Sequence, residues 1–253
     1  MTTEPLFQQD SYLKTCSAEV TAINDEGGIV LSQTVFYPTG GGQPGDSGFF
    51  TLENGDKIHI TTTIKSAQNI VHIPKEGHIP LKIGEKITCH IDWDRRYKHM
   101  RMHSAMHLLC SIVPCGVTGG QVGADKSRLD FNVEDYTLDK EYLTDKLSEI
   151  QAQHHPITVR WISDAELDDN PALVRTMSVQ PPRGAGKVRL LQIGDDIDLQ
   201  PCGGTHVKNT SEIGALCVSK IENKGAKNRR VHIILLNEGI LLNEGILLDE
   251  RNG

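Results

Sequence analysis

Apolar and polar residues alternate with a period of two through roughly the first ninety positions, the pattern of half-buried strands. Segments 18–23 and 29–36 are separated by Asp25-Glu26-Gly27-Gly28, a hairpin signal. Segments 49–52 and 57–64 flank a second such signal, Asn54-Gly55, and 70–73 and 86–93 continue the series. Short strands at this spacing predict a small barrel or sandwich.

Near Asp92-Trp93-Asp94 the period becomes helical. Either aspartate can cap a helix running to about Val113, with Met102, Ala105, Met106, Leu109 and Ile112 on its apolar face and Pro114 and Gly116 ending it. A second helix is predicted over 138–153, with Leu143, Leu147 and Ile150 inward. A strand follows over 157–162, and Ser163-Asp164-Ala165-Glu166 has the form of a capping box. Segments 188–193, 215–221 and 230–236 read as further strands. The expected fold class is therefore α+β: a small β-barrel-like domain over 1–93, an α+β domain over 94–236 and a short extension over 237–253. The extension nearly repeats Leu236-Asn237-Glu238-Gly239-Ile240-Leu241, and two copies are too few to stack as a solenoid.

Composition narrows the class. With 38 % hydrophobic and 23 % charged residues the chain has the make-up of a soluble globular protein. A net charge of −7 argues against a protein that coats nucleic acid indiscriminately, and turns attention to local basic segments. The six cysteines are too sparse for a disulfide scaffold. No basic-then-apolar signal region opens the chain, and no apolar run is long enough to span a bilayer. These features point to a reduced, cytoplasmic protein. Cys110 and Cys115, near the end of the first helix, read as small buried hydrophobes.

Candidate chemistry lies in two distant segments. His103-Ser104-Ala105-Met106-His107 places two imidazoles at i and i+4, on one helix face. Cys202-Gly203-Gly204-Thr205-His206 supplies a thiol and an imidazole from a Gly-Gly turn. His103, His107, Cys202 and His206 together form a set that zinc prefers. A zinc peptidase needs Glu directly after the first histidine as base, and Ser104 stands there. The paired C-x-x-C spacing of zinc fingers is also missing. Four protein donors saturate a tetrahedral ion, whereas catalytic zinc keeps a place for water. One ligand yielding to water, a five-coordinate ion and a purely organising ion all remain open at this level.

The segment Tyr37-Pro38-Thr39-Gly40-Gly41-Gly42-Gln43-Pro44-Gly45 formally contains G-x-G-x-x-G. A dinucleotide fingerprint requires a helix directly afterwards, and Pro44 with the following hairpin opposes one. Gly40, Gly41 and Gly42 instead permit close approach of a ligand or of the metal-bearing region, with Thr39 and Gln43 adding polar groups. Gly184-Ala185-Gly186-Lys187 is not a P-loop, since the upstream glycine and the following Ser/Thr are missing. Three basic clusters flank the metal segments. They are Arg95, Arg96, Lys98 and Arg101; then Arg183, Lys187 and Arg189; then Lys220, Lys224, Lys227, Arg229 and Arg230. Their placement suggests a path for phosphates.

At these residues the chain resembles the editing domain of alanyl-tRNA synthetases and its free-standing relatives, the AlaX proteins. The matching stretches are 37–44, 101–109, Ser127-Arg128-Leu129-Asp130-Phe131 and 201–207, in family order. The chain looks like the medium-length type, without room for an aminoacylation domain and without the long C-terminal segment of the larger type. Ser104 stands where many relatives have Thr, which keeps the hydroxyl. The resemblance implies a β-rich N-terminal domain joined to a zinc-containing editing domain, with one zinc per chain on His103, His107, Cys202 and His206. It also implies hydrolysis of mischarged tRNA(Ala), chiefly Ser-tRNA(Ala) with Gly-tRNA(Ala) besides, without ATP.

Such an enzyme has a physical rationale. A synthetase pocket for alanine excludes neighbours differing by one small group only about 10–200-fold by binding alone. Thr39, Gln43, Ser104 and Thr205 are the candidates for reading the serine hydroxyl, and the amides of Gly203 and Gly204 for stabilising an oxyanion. Arg95, Arg96, Lys98, Arg101, Arg128, Lys187, Lys224, Lys227, Arg229 and Arg230 are the candidates for holding the tRNA acceptor end. The rival readings are a non-catalytic, zinc-stabilised tRNA-binding module and a metallohydrolase of another small ester or amide.

Overall fold

The computed structural model describes residues 2–66, 69–133, 136–177 and 186–236. Its first part is built from β1 (Glu4–Pro5), β2 (Thr15–Ile23), β3 (Ile29–Leu31), β4 (Gln33–Thr34), β5 (Gly48–Leu52), β6 (Lys57–Ser66), β7 (Asn69–Pro74) and β8 (Lys86–Ile91). Six of these close into a barrel in the order β2-β3-β7-β6-β5-β8. Inward positions alternate along the strands, as in β6, where Ile58 and Ile60 are buried between exposed neighbours. With Leu31, Phe36, Phe50 and Cys89 they fill the interior.

One predicted strand divides. Segment 29–36 leaves the barrel after Leu31, and Gln33–Thr34 pairs instead in parallel with Glu4–Pro5. Phe36 nonetheless turns back into the barrel core. The predicted strand over 86–93 stops at Ile91, because Asp92 accepts a hydrogen bond from the Arg95 amide and caps the next helix.

That helix, α1 (Trp93–Ile112), is buried over most of its circumference, since the barrel and a second group of sheets enclose it. Met102, Ala105, Met106 and Leu109 lie in the core as expected, and Ile112 packs at its edge. Next come β9 (Gly116–Gln121), β10 (Lys126–Asn132), α2 (Lys140–Ala152), β11 (Ile157–Ile162), α3 (Asp164–Asp169), β12 (Val188–Ile193), β13 (Asp198–Pro201), β14 (Leu216–Asn223) and β15 (Asn228–Leu235). They form a four-stranded sheet, β14-β15-β10-β9, and a three-stranded sheet, β11-β12-β13, both antiparallel. The result is a mixed α+β architecture. The capping box at Ser163 and Glu166 is present and starts α3. Leu143 and Leu147 of α2 face inward. Strands β9, β10 and β13 were not among the predicted elements. The repeated extension over 237–253 and Arg183 lie outside the described residues.

The barrel holds one buried titratable ring. The His72 Nδ1–H donates to the Ile29 carbonyl at 3.0 Å, so its Nε2 accepts from the Thr34 hydroxyl at 2.8 Å. Phe36 and Phe50 pack edge-on against it. Burial lowers its pKa from 6.5 to about 4, against the opposing hydrogen bond to Ile29. A histidine shifted this way binds its proton more tightly when the chain is unfolded. The stability it permits is intact above pH 6.5 and is lost as pH falls toward 4, by about 3 kcal/mol at most. Urea denaturation at pH 7 and pH 4.5 should show a smaller difference in His72→Gln than in the wild type.

Candidate metal centre and its cavity

α1 delivers His103 and His107 one turn apart on the same side of the helix. Cys202 follows directly on β13, its amide bonded to the Arg189 carbonyl of β12, and the chain then turns through Gly203 and Gly204 to His206. The turn is tightly confined: a Cβ on Gly204 would lie 2.2 Å from Cε1 of His103. One donor atom from each of His103, His107, Cys202 and His206 falls within 4.8 Å of the other three. The Cys202 sulfur lies 3.2 Å from Nε2 of His206 and 3.7 Å from Nε2 of His103.

Each imidazole is held from behind at Nδ1. The His107 Nδ1–H donates to Asp198 at 2.8 Å, and Gln200 donates in turn to that carboxylate. The Gln43 side-chain nitrogen donates to the Thr205 hydroxyl, so its oxygen accepts from His103 Nδ1 at 2.8 Å and from the Thr205 amide at 3.2 Å. The Ser104 hydroxyl lies 3.3 Å from His206 Nδ1 and accepts from the Val207 amide. Gln43 and Asp198 make Nδ1 the donor in His103 and His107, and all three rings turn Nε2 toward the cluster.

Charge distribution agrees with a ligating role. Burial alone would raise the Cys202 thiol, but His103, His206 and His107 around it hold it well below its usual range. Burial keeps His206 neutral, well below the usual imidazole range. His107 moves the other way, up to about 10: burial opposes the shift, and the Cys202 thiolate and Asp198 overcome it. A cation entering the cluster therefore meets a thiolate and displaces a proton from His107.

The cluster lies on the wall of a cavity of about 510 Å³. The lining also includes Gly40, Gly41 and Gly42, where the backbone reverses through paired hydrogen bonds between Gly40 and Gln43. Gly41 and Gly42 have φ of 56° and 81°, in the left-handed region that favours glycine. The Gly42 carbonyl accepts from the Val122 amide at 2.8 Å, and a Cβ on Gly42 would meet the Gly120 carbonyl at 2.8 Å. No helix follows this motif. It joins the barrel to β9 and, through Gln43, to His103.

Two family models match the chain. The one described as tRNA synthetases class II (A) covers residues 9–95, and the one described as the threonyl and alanyl tRNA synthetase second additional domain covers 188–232. Among curated proteins, the alanyl-tRNA editing protein AlaX-M of Methanosarcina acetivorans is 36 % identical over 93 % of this chain and 100 % of its own length. The chain belongs to the AlaX-M alanyl-tRNA editing proteins. The AlaX-M protein of Saccharolobus solfataricus is 37 % identical over 91 % of this chain and 98 % of its own length. The alanine–tRNA ligase of Pyrobaculum calidifontis is 32 % identical over 87 % of this chain but only 25 % of its own length.

Within this AlaX-M fold the side chains expected to touch substrate stand elsewhere. Gln43, Ser104 and Thr205 are fully buried behind the histidines and do not line the cavity. Thr39 accepts from the Gly45 amide and donates to the Thr63 carbonyl. The Gly204 amide is directed at the Cys202 sulfur at 3.4 Å, while Gly203 stays open on the cavity. Asp198, Gln200 and Arg189 are the site residues that sequence reasoning passed over or misjudged. Asp198 and Gln200 alternate with Cys202 along one strand face, a period-two signal that was available. Arg189, read as part of a phosphate path, is buried and donates to the carbonyls of Cys202 and Gly204.

The basic candidates divide in the same way. Lys187 lines the cavity, joined there by Lys65. Arg95 donates to Ser47, Arg101 to the Ile213 carbonyl and Arg229 to backbone carbonyls nearby. Lys98 faces Asp125, Lys224 faces Glu222, and Arg128 and Arg230 share Asp130. The Lys227 carbonyl accepts from the Val133 amide.

Arg96 contradicts its assignment outright. It is fully buried and forks onto Asp46 through Nε and Nη2, while Nη2 also donates to the Val35 carbonyl and Nη1 to the Ser11 carbonyl. It pins α1 to the barrel and cannot reach a phosphate. Breaking one side of such a pair leaves an uncompensated buried charge. Arg96→Met should cost about 3–5 kcal/mol in urea denaturation. Arg96→Met combined with Asp46→Asn should lose clearly less than the two single losses added.

Proposed function

We propose that this protein hydrolyses, in trans, the ester joining the amino acid to the terminal adenosine of mischarged tRNA(Ala), with Ser-tRNA(Ala) the chief substrate and Gly-tRNA(Ala) the second. The proposal rests on one observation above the rest: a thiolate and three imidazoles converge, and His103, His107 and Cys202 of that cluster line a cavity beside the Gly-rich turn. The names of its relatives, alanyl-tRNA editing proteins, point the same way.

The donor set fits zinc: one thiolate and three imidazoles with supporting acceptors behind them. His103, His107, Cys202 and His206 would hold a single ion. Zinc bound there supplies Lewis acidity, which polarises a carbonyl or eases loss of a proton from water. The chain's own groups do the rest. Arg189 fixes the Cys202 and Gly204 carbonyls and so the shape of the turn. Gly203 is the remaining amide candidate for a developing oxyanion. Ester hydrolysis needs no ATP. Six free cysteines suit a reducing compartment, and we place the protein in the cytoplasm with its tRNA.

Purified protein incubated with Ser-, Gly- and Ala-tRNA(Ala) should release serine fastest, then glycine, and leave Ala-tRNA(Ala) intact. Binding of tRNA with the ester preserved would instead make it a non-catalytic module. His103→Ala and Cys202→Ala should reduce ester loss to the uncatalysed level, and full activity after exhaustive zinc removal would overturn the zinc assignment. Asp198→Ala should weaken zinc binding about 10- to 100-fold, measured by competition with a chromophoric chelator.

A further inference from the structure

A serine side chain is small, and the cavity is not. Its volume of about 510 Å³ sits within the roughly 300–1,000 Å³ typical of sites that bury a drug-sized ligand. An aminoacyl group together with a nucleoside matches that scale. Its lining is mainly apolar and backbone; of the aromatic side chains on it, Phe7 and Tyr37 are buried and Trp161 is 48 % exposed. A tryptophan left this open on an edge strand has no packing reason to be there.

Its position in the sheet is specific. Trp161 of β11 is the cross-strand partner of Arg189 in β12. The Cys202 amide bonds to Arg189 in turn, continuing the register in which Leu190 faces Pro201. Cross-strand partners project to the same face. Trp161, Arg189 and Cys202 therefore form one row across the sheet, and all three line the cavity. Two strand spacings of about 4.8 Å separate the Trp161 and Cys202 backbones by about 10 Å. An aminoacyl-adenosine lying along that row would set its base toward Trp161 and its ester toward Cys202. Lys65 and Lys187, both exposed, line the same cavity.

We infer that Trp161 is the platform on which the terminal adenine of the tRNA stacks, with Lys65 and Lys187 taking the phosphate that precedes it. The inference rests on the deacylase reading for the identity of the ligand, while the stacking itself can be measured without turnover. An indole face accepts any base, so the row sets the distance from base to ester and not the sequence read.

Two experiments test it. In steady-state deacylation of Ser-tRNA(Ala), Trp161→Ala should raise KM roughly 5- to 150-fold, the loss of one base–aromatic stack, and Trp161→Phe should recover most of it. The chain has two tryptophans, so Trp93→Phe leaves Trp161 as the sole indole reporter. Its emission should be quenched by the trinucleotide CCA, and Lys65→Gln or Lys187→Gln should each reduce the logarithmic salt slope of that binding by about 0.7. An unchanged KM, an unquenched indole or a Phe variant as impaired as Ala overturns the platform while leaving the deacylase intact. Unaltered salt slopes overturn the lysine assignment. Quenching by CCA in a protein that spares every aminoacyl ester keeps the platform and overturns the deacylase.

Discussion

A buried thiolate and three imidazoles can close on one cation only if each ring offers it Nε2 and is held at Nδ1. That demand extends well beyond the four residues. His107 needs Asp198, which needs Gln200. His103 needs Gln43 from the far side of the barrel junction, and His206 needs the hydroxyl one residue after His103. The centre thus recruits β13, the Gly-rich turn and α1 at once, and each contact fixes where one of these elements sits. A hydrogen bond to a charged or ring-nitrogen group in so dry a place contributes more than its surface equivalent, and leaving it unmade costs more.

How far this was legible in the sequence follows from the range of each signal. Helical spacing made the His103 and His107 pair readable, and the four-residue offset of Cys202 and His206 across two glycines marked a turn. Caps at Asp92 and Ser163 are local hydrogen bonds and were readable for the same reason. β9 was missed because Gly116, Gly119 and Gly120 give it the composition of a loop, and it becomes a strand only by pairing with β10. Segment 29–36 looked continuous because its inward pattern survives the break, with Phe36 buried although the backbone has left the barrel.

The polar residues were harder, and the errors share a cause. Gln43, Ser104 and Thr205 were correctly placed near the centre, yet sequence does not say whether a polar side chain faces a ligand or braces another side chain. Here bracing prevails, because an imidazole with an unsatisfied Nδ1 is expensive to bury. The arginines were misjudged similarly. Arg96 and Arg189 have the composition of a phosphate path, but a planar five-donor group is also the best available means of tying several carbonyls together. Lys65 and Lys187, which cannot make that fork, are left exposed on the cavity.

The fork of Arg96 onto Asp46 has a thermodynamic consequence. It lies where the barrel strands give way to α1, a point that looks in the sequence like a boundary between separable pieces. Cutting there would strand a charge on each piece in a dry environment and would also detach Gln43 from His103. The two parts are accordingly coupled through a buried ion pair, and a transplant of the histidine-bearing half alone would carry its donor atoms without Gln43 to aim His103.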